Sequence, residues 1–264
     1  MTLNKKIFCI ILCLIMLFTT SVYSFADTIE NDEGKTNYEI LLEKGYSESF
    51  LNNLTDEYMQ RLVAVIGDNK VGSIETTETK FYDDSVTLDT ISAALLTLNI
   101  TATNVCKLNS TEISSVVVTI TWEWAANKPV YRGKDAISVN WDENVFTYTG
   151  GFYSQDCYKS NASDEWTLFK EYDSAAEANQ GGIGAWTDLK ALKKYVGGTM
   201  MLVLSPTSTM KEGTANSTGI NVNYVHASAP LTGISFGAVG VSVGISWDRS
   251  CDSSSKTYYY RYSK

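Results

Sequence analysis

The segment from Val116 to Trp141 constrains the fold more than any other part of the sequence. The even-numbered positions carry apolar side chains, namely Val116, Val118, Ile120, Trp122 and Trp124. The odd-numbered positions carry a mostly polar set, namely Val117, Thr119, Thr121 and Glu123. Successive side chains of a strand point to opposite faces, so this alternation predicts one buried face and one face towards water. After Pro129 and Gly133 the alternation returns up to Trp141. We expect the two strands to pair as a hairpin.

Most of the remaining chain also has the period of strands. Alternating or apolar runs occur at residues 96–103, 145–149, 199–204, 220–226, 234–247 and 258–262. Residues 173–180 read as a short helix or a turn, 187–196 as a helix, and 205–219 as a polar loop. Strands that follow one another without crossover helices favour antiparallel pairing. We therefore expect an all-β, mainly antiparallel β-sandwich over residues 85–264.

Three short helices are predicted before the strands. Thr36 and Glu39 form a capping box, Ser47 starts a second helix, and Thr55 starts a third that ends at Gly67. Helices this short do not persist alone in water, so we expect them to pack on the sheet. The sequence predicts a small α-helical N-terminal element. Residues 27–84 would hold an acidic leader, these helices and a linker or edge strand.

The N-terminal residues have the pattern of a secretory signal peptide. Lys5 and Lys6 precede an apolar run over residues 7–18, and Ser24 and Ala26 supply small residues at the cleavage site. The run is shorter than the roughly 20 residues that span a bilayer. We therefore expect residues 1–26 to be removed and the protein to be secreted, with no stable membrane anchor.

The charge of the chain bears on its partners, and its cysteines bear on disulfide formation. The net charge is −9, and it becomes more negative when Lys5 and Lys6 are removed, which disfavours nucleic acid and anionic lipid surfaces as long-range partners. Three cysteines follow the predicted signal peptide: Cys106, Cys157 and Cys251. They permit one disulfide with one thiol left over, or an intermolecular link, or no bridge.

The sequence predicts no catalytic residue, cofactor site or metal site. The single histidine, His226, would have to pair with Cys157 or Ser228 and a carboxylate such as Asp156, and no nucleophile motif surrounds these residues. A zinc site would need further ligands. We expect His226 to be a partly buried residue at a strand end, hydrogen-bonded by a hydroxyl.

Aromatic residues beside acidic ones raise carbohydrate binding or glycan hydrolysis as alternatives. Glu123, Asp142-Glu143 and Asp164-Glu165 each adjoin a tryptophan, and two carboxylates across a sugar-binding cleft perform glycoside hydrolysis. Parity places Trp122, Trp124 and Trp141 in the core. The aromatic residues left for a ligand surface are Trp166, Trp186, Tyr258 and Tyr260.

Residues 234–247 allow a further alternative. Val239, Val241, Val243 and Ile245 alternate with small residues. This pattern fits either a strand that lets another chain segment approach closely or a membrane-inserting segment of a β-pore-forming toxin.

Parts of the chain resemble uncharacterised secreted proteins of Gram-positive bacteria. The resemblance covers Tyr38–Leu62, with its pairs Gly45-Tyr46, Phe50-Leu51 and Leu54-Thr55, then Trp124–Asp135 and Tyr224-Val225-His226. It implies bacterial secretion and brings no activity or site residues with it. We expect a secreted, non-catalytic binding or interaction module with a protein or glycan ligand, and keep the pore-forming toxin and the glycan-acting protein as alternatives.

Overall fold

A computed structural model describes residues 34–80, 96–129, 133–227, 235–239, 242–246 and 251–264. Residues 36–264 form one unit. The predicted signal peptide, most of the leader and the predicted domain boundary at residue 85 lie outside the described residues.

Three helices lie in the described N-terminal part, with bounds close to those predicted from their caps. They are α1 (Asn37–Glu43), α2 (Glu48–Leu51) and α3 (Asp56–Ile66). Thr36 and Glu39 make both hydrogen bonds of the capping box, and the side chains of Ser47 and Thr55 cap the other two helices. Gly45 follows α1 at φ 97°, a conformation that glycine adopts without strain.

Fourteen strands follow in the described part of the chain. They are β1 (Lys70–Lys80), β2 (Leu96–Cys106), β3 (Ile113–Trp124), β4 (Lys134–Trp141), β5 (Phe146–Tyr148), β6 (Tyr153–Lys159), β7 (Thr167–Tyr172), β8 (Glu177–Asn179), β9 (Gly182–Asp188), β10 (Tyr195–Pro206), β11 (Lys211–Ala227), β12 (Ser235–Val239), β13 (Ser242–Ser246) and β14 (Cys251–Ser263). The pairings between them are antiparallel. The expected all-β, mainly antiparallel sandwich with a small helical element is confirmed.

The described strands form two large sheets and one small one. Sheet A has the order β1-β2-β3-β10-β6-β7, with β5 beside β10, and sheet B has the order β14-β11-β4-β9-β8. The strands β12 and β13 pair with each other. Strand β1 is an edge strand, one of the two alternatives predicted for this stretch, and β10 lies inside sheet A between β3 and β6.

The expected hairpin between Val116 and Trp141 is wrong. Strand β3 pairs with β2 and β10 in sheet A, whereas β4 pairs with β9 and β11 in sheet B. The chain therefore crosses from one sheet to the other after Trp124. Parity alone cannot distinguish these topologies, because strands that face each other across a core have the same pattern as strands that lie side by side in a sheet.

The core between the sheets contains the residues that parity placed there. Trp122, Trp124 and Trp141 are buried, and they belong to one cluster with Ile137 of β4 and Tyr224 of β11. The inner side chains of both sheets thus bury a common apolar layer, as in other sandwiches. Aromatic side chains dominate it because each removes a large area from water.

The other face of sheet A is also largely buried, which corrects the expectation that it faces water. Thr101, Thr103 and Thr119 are at most 2% exposed because the helices cover them. The hydroxyl of Tyr58 donates to Thr119 Oγ1 at 2.9 Å, and that of Tyr46 donates to Thr103 Oγ1 at 3.0 Å. The helices therefore pack on the sheet, as expected, and satisfy the hydroxyl groups of Thr103 and Thr119, whereas that of Thr101 pairs with Thr76 of β1.

Several expectations in the C-terminal half are wrong. Residues 177–179 and 182–188 form strands, and no helix spans 187–196 in the described chain. Most of the expected loop at 205–219 belongs to β11, whose irregular start has a register shift between Lys211 and Asn216. Strand β6 had no clear pattern because both of its faces are buried and both carry polar side chains, Ser154 and Asp156 on one face and Gln155 on the other.

The stretch expected to be one strand over 234–247 contains the pair β12 and β13, which packs on the outer face of sheet B. Phe236 lies against Trp186, with ring centroids 4.8 Å apart. Glycines make this approach possible: a Cβ at Gly184 would lie 2.5 Å from Phe236 Cδ1, and one at Gly182 would lie 2.5 Å from the backbone nitrogen of Val243. Val243 donates its N–H to Asn140 Oδ1 at 2.8 Å.

We predict that the helical layer and the sandwich unfold together. Leu62 is fully buried between α3 and sheet A, so Leu62→Ala removes apolar contacts and leaves a cavity. We expect it to lower the free energy of unfolding by about 2–5 kcal/mol, measured by urea denaturation with probes of helix and of tryptophan environment. The exposed Gln60 of the same helix gives the control, since Gln60→Ala should change stability by less than about 0.5 kcal/mol. Separate transitions for the two probes would contradict the prediction.

Candidate functional site

A cleft lies on the outer face of sheet A, beside the helical layer. Pairing between β2, β3, β10 and β6 arranges the outer side chains in cross-strand rows. Two rows under the helices contain Thr101, Thr103 and Thr119. The next two rows lie beyond α3 and form the floor of the cleft.

The floor and walls come from distant parts of the sequence. The cleft is open to solvent and is lined by residues that include Asn53, Thr97, Asn99, Thr121, Glu123, Cys157, Trp166 and Thr199. Asn53 lies between α2 and α3, and Trp166 lies just before β7. Amide, hydroxyl and carboxylate groups thus face one concavity beside an indole.

Asn99 carries an incompletely used polar group in this cleft. Its Nδ2 lies 3.4 Å from Thr121 Oγ1, whereas its buried Oδ1 has no hydrogen-bond partner among the described residues. A buried acceptor without a donor costs about 1–3 kcal/mol. Asn99 lines the cleft, so a donor from a ligand or water that reaches this oxygen would bind favourably.

The indole of Trp166 lies next to Gly197, which has no side chain. Gly197 occupies the floor row, and a Cβ built there would lie 3.2 Å from Trp166 Cη2 and 2.3 Å from the carbonyl oxygen of Trp122. Lys159 holds its ammonium 4.2 Å from the centre of the Trp166 ring, a cation–π contact. The indole of Trp166 therefore gives the cleft an apolar wall, and the ammonium of Lys159 lies against the same ring.

Glu123 gives the cleft its carboxylate. Partial burial raises the pKa of Glu123 above its ordinary value, and the positive charge of Lys159 acts in the opposite direction. Of the described residues that line the cleft, Glu123 is the one carboxylate. The two carboxylates that glycoside hydrolysis uses are not brought together here.

The structure separates the four aromatic residues that were predicted as a ligand surface. Trp166 lines the cleft on sheet A. Trp186 is half-buried on sheet B, where it contacts Phe236 of β12. Tyr258 and Tyr260 are only 5% and 3% exposed and lie in the core between the sheets, so the exposure expected of them is wrong. The neighbouring Tyr259 points outward, since alternate residues of β14 face opposite sides.

His226 belongs to a buried polar cluster at one end of the sandwich. Its Nδ1 lies 2.9 Å from Asp135 Oδ1, so its partner is a carboxylate and not the expected hydroxyl. Tyr224 donates its hydroxyl to Asp135 Oδ2 at 2.6 Å, and Trp124 donates Nε1–H to the Tyr224 oxygen at 3.2 Å. Burial raises the pKa of Asp135. Asp135 is fully buried and His226 is 5% exposed, which makes the cluster inaccessible to a substrate.

Asp156 joins the two sheets near this cluster. The hydroxyl of Tyr172 donates to Asp156 Oδ2 at 2.6 Å, the backbone N–H of Asp188 donates to the same oxygen at 2.7 Å, and the Thr187 hydroxyl donates to Oδ1. Burial raises the pKa of Asp156 to about 7, although these hydrogen bonds favour its charged form. Asp156 therefore links β6 of sheet A to β9 of sheet B.

The cysteines and candidate ligands form no reactive or metal site in the described part of the chain. Cys106 and Cys157 are buried and unbridged, and Cys251 is also buried. Burial strongly raises the pKa of Cys157, which disfavours the nucleophilic thiolate. Among the described residues no group of three or more metal-ligating side chains occurs, and no helix has the length and apolar character to cross a membrane.

Comparisons with known proteins give no family. No protein-family model and no curated protein matches the sequence. The chain is similar to a solved structure described as BspA_C_mut, with 10% identity and a TM-score of 0.31 over 49% of this chain and 50% of that chain. It is also similar to a structure titled "pH-induced modulation of Streptococcus parasanguinis adhesion by Fap1 fimbriae", with 9% identity and a TM-score of 0.29 over 72% of this chain and 95% of that chain.

The chain thus spans about half the length of the first of these structures. With TM-scores this low, neither similarity indicates a function for this chain.

Sequence reasoning missed most of the cleft. Glu123 and Trp166 were singled out separately, but Asn53, Asn99 and Thr199 carried no pattern of their own. The one usable signal was the polar parity of β2 and β3, which places Asn99 and Glu123 on the same face.

We predict that the protein is more stable in mild acid than at alkaline pH. The pKa of Asp156 is about 7 in the folded state against 3.8 ordinarily, so the folded state binds a proton more tightly. The stability contributed by this proton is complete below about pH 4 and is lost as the pH rises to about 7. The midpoint of thermal unfolding should fall over this range.

Asp156→Asn keeps the shape of the carboxyl group without its titration. We expect a flatter dependence of the midpoint on pH in this variant, with a remaining slope from Asp135 and Glu123, whose pKa values are also raised. The exposed Glu177 provides the control, as Glu177→Gln removes one surface carboxylate far from Asp156 in the sequence and should leave the slope unchanged. A slope that is the same in the wild type and in Asp156→Asn would show that Asp156 is not the titrating group.

Proposed function

We propose that the protein is a secreted, non-catalytic binding module and that its cleft holds one sugar unit of a glycan. The observation that carries this proposal is the unpartnered Oδ1 of Asn99, a residue that lines the cleft together with hydroxyl, amide and carboxylate groups. Sugar hydroxyls donate and accept hydrogen bonds at closely spaced positions, so they match a lining of this kind.

Each part of the lining has a role in this proposal. The Oδ1 of Asn99 accepts a hydrogen bond from a sugar hydroxyl, and Glu123 accepts another. The hydroxyls of Thr97, Thr121 and Thr199 act as donors or acceptors. The indole of Trp166 gives the apolar contact for the C–H groups of the ring.

A binding role is favoured over hydrolysis because the described lining offers a single carboxylate, Glu123. Secretion is supported by the order of charged, apolar and small residues over positions 5–26. Pore formation stays a prediction from the sequence, which leakage of a dye from liposomes would test. The described contacts of β12 and β13, with Trp186 and Asn140, hold this strand pair on sheet B.

We predict that glycans bind in the cleft and that Asn99→Ala and Glu123→Gln weaken this binding. A glycan array identifies the ligand, and calorimetric titration with the best oligosaccharide gives the Kd. Loss of one hydrogen bond worth about 0.5–1.5 kcal/mol raises the Kd up to about tenfold. Because Trp166 lines the cleft, binding should also change the tryptophan fluorescence.

Asn223→Ala is the matched control for this experiment. Asn223 is also a half-buried asparagine in a strand, but it lies in sheet B and contacts Ser138. We expect its Kd to equal that of the wild type. The proposal is contradicted if the array shows no ligand, in which case ordered water satisfies Asn99, or if the cleft variants bind as tightly as the control.

A further inference from the structure

The pair β12 and β13 covers one side of the outer face of sheet B. It lies against β4, β8 and β9, and β11 and β14 continue the same sheet beyond it. Away from the strand ends at Ala227 and Cys251, the outer side chains of β11 and β14 are half-buried or exposed. They belong to Ser217, Asn221, Asn223, Ser253, Ser255, Thr257, Tyr259 and Arg261. This side of sheet B is therefore open to solvent.

Tyr259 is an exposed aromatic residue within this open surface. It is 67% exposed, more than any other aromatic residue of the described chain. Register places it opposite Gly219 of β11. Of the described residues, only Thr257 comes within 4 Å of a Cβ built at Gly219, with its Cγ2 at 3.3 Å. The phenol ring therefore does not pack over the glycine, and it presents an apolar face to solvent.

Arg261 places a positive charge beside this ring. Residues two apart in a strand point to the same side and lie about 7 Å apart, so Arg261 and Tyr259 are neighbours. Arg261 is exposed, and none of the ion pairs between described residues includes it. Asp142 follows the end of β4, and its Oδ1 accepts hydrogen bonds from Asn144 in its own turn. The guanidinium can therefore bind an anion from outside.

Polar groups lie on the other side of the ring. Thr257 precedes Tyr259 on the same face and pairs in register with Asn221 of β11. Asn221 is half-buried, and its Oδ1 has no hydrogen-bond partner among the described residues. A donor that reaches this oxygen would bind favourably. The surface thus combines an amide, an aromatic ring and a guanidinium.

We propose that Asn221, Tyr259 and Arg261 form a binding face for a sugar unit that carries a carboxylate, such as a uronic or a sialic acid. The guanidinium pairs with the carboxylate, whose two oxygens match its fork of N–H donors. The phenol ring packs against C–H groups of the sugar, and Asn221 and Thr257 bond to its hydroxyls. The net charge of −9 acts weakly here, because screening limits exposed charges to about 8–10 Å at physiological salt.

A sugar fits this face better than an acidic protein partner does. Anchoring side chains of protein interfaces fill well-packed pockets. The β11 residues opposite Tyr259 and Arg261 are Gly219 and Ser217, which are too small to form the wall of a pocket. A sugar ring can lie flat on the phenol ring without one. The face lies on sheet B and the cleft on sheet A, so this proposal does not depend on sugar binding in the cleft.

Calorimetric titration with carboxylated oligosaccharides tests the proposal. The probes are oligogalacturonate, hyaluronan fragments and sialyllactose, each compared with its carboxyl-reduced form. We expect a carboxylated probe to bind and its reduced form to bind about tenfold more weakly. Arg261→Gln should weaken binding by a similar factor, because it removes the charge that pairs with the carboxylate. Tyr259→Thr keeps a residue suited to a strand and should weaken binding about fivefold.

Two variants are matched controls. Lys256→Gln removes the same charge from β14 at a position of opposite parity, and Phe169→Thr removes an exposed ring from an edge strand of sheet A. Both should bind the probe as the wild type does, and so should the cleft variant Asn99→Ala.

Three results would overturn the proposal. No carboxylated probe binds, including the case in which a glutamate-rich peptide binds instead. Arg261→Gln and Tyr259→Thr bind the probe as tightly as the two controls. Asn99→Ala abolishes binding, which would place the acidic sugar in the cleft.

Discussion

The burial of sheet A on both faces is the constraint on which the rest of the structure depends. Its inner face is apolar, but its outer face carries threonines that must find partners once the helices exclude water. The hydroxyls of Tyr46 and Tyr58 bond to Thr103 and Thr119, respectively. The hydroxyl of Thr55 bonds in the same way to Gln155, a glutamine of β6. Hydroxyl pairs of this kind fix the position of the helices, because buried polar groups tolerate little misalignment. The cleft then lies where the polar face of the sheet continues beyond the helical cover.

Local signals predicted local structure well. The caps at Thr36, Ser47 and Thr55 defined three helices, and parity placed Trp122 and Trp124 in the core. These predictions succeeded because hydrogen bonding at a helix end and the two-residue period of a strand are settled within a few residues. Tertiary contacts did not override these local preferences.

Non-local features could not be predicted in this way. The two strands around Trp124 and Trp141 lie in different sheets, although their patterns suit a hairpin equally well. The polar side of Thr119 was expected to face water because no local pattern reveals a covering layer. The candidate site combines Asn53 with Thr199, and such a combination follows only from strand order and register. Tyr260 shows the same limit, since a tyrosine suits a wet surface and a core alike.

The glycines of β9 make the attachment of β12 and β13 independent of the packing of the core between the sheets. Gly182 and Gly184 leave room for β12 and β13 on the outside of sheet B, while Ile183 and Ala185 between and beside them serve the inner core. Alternate residues of one strand thus specify different neighbours. Natural variation at the two glycines can change how the outer strand pair is attached, or remove it, without altering a residue that holds the sandwich together. The attachment can evolve on its own.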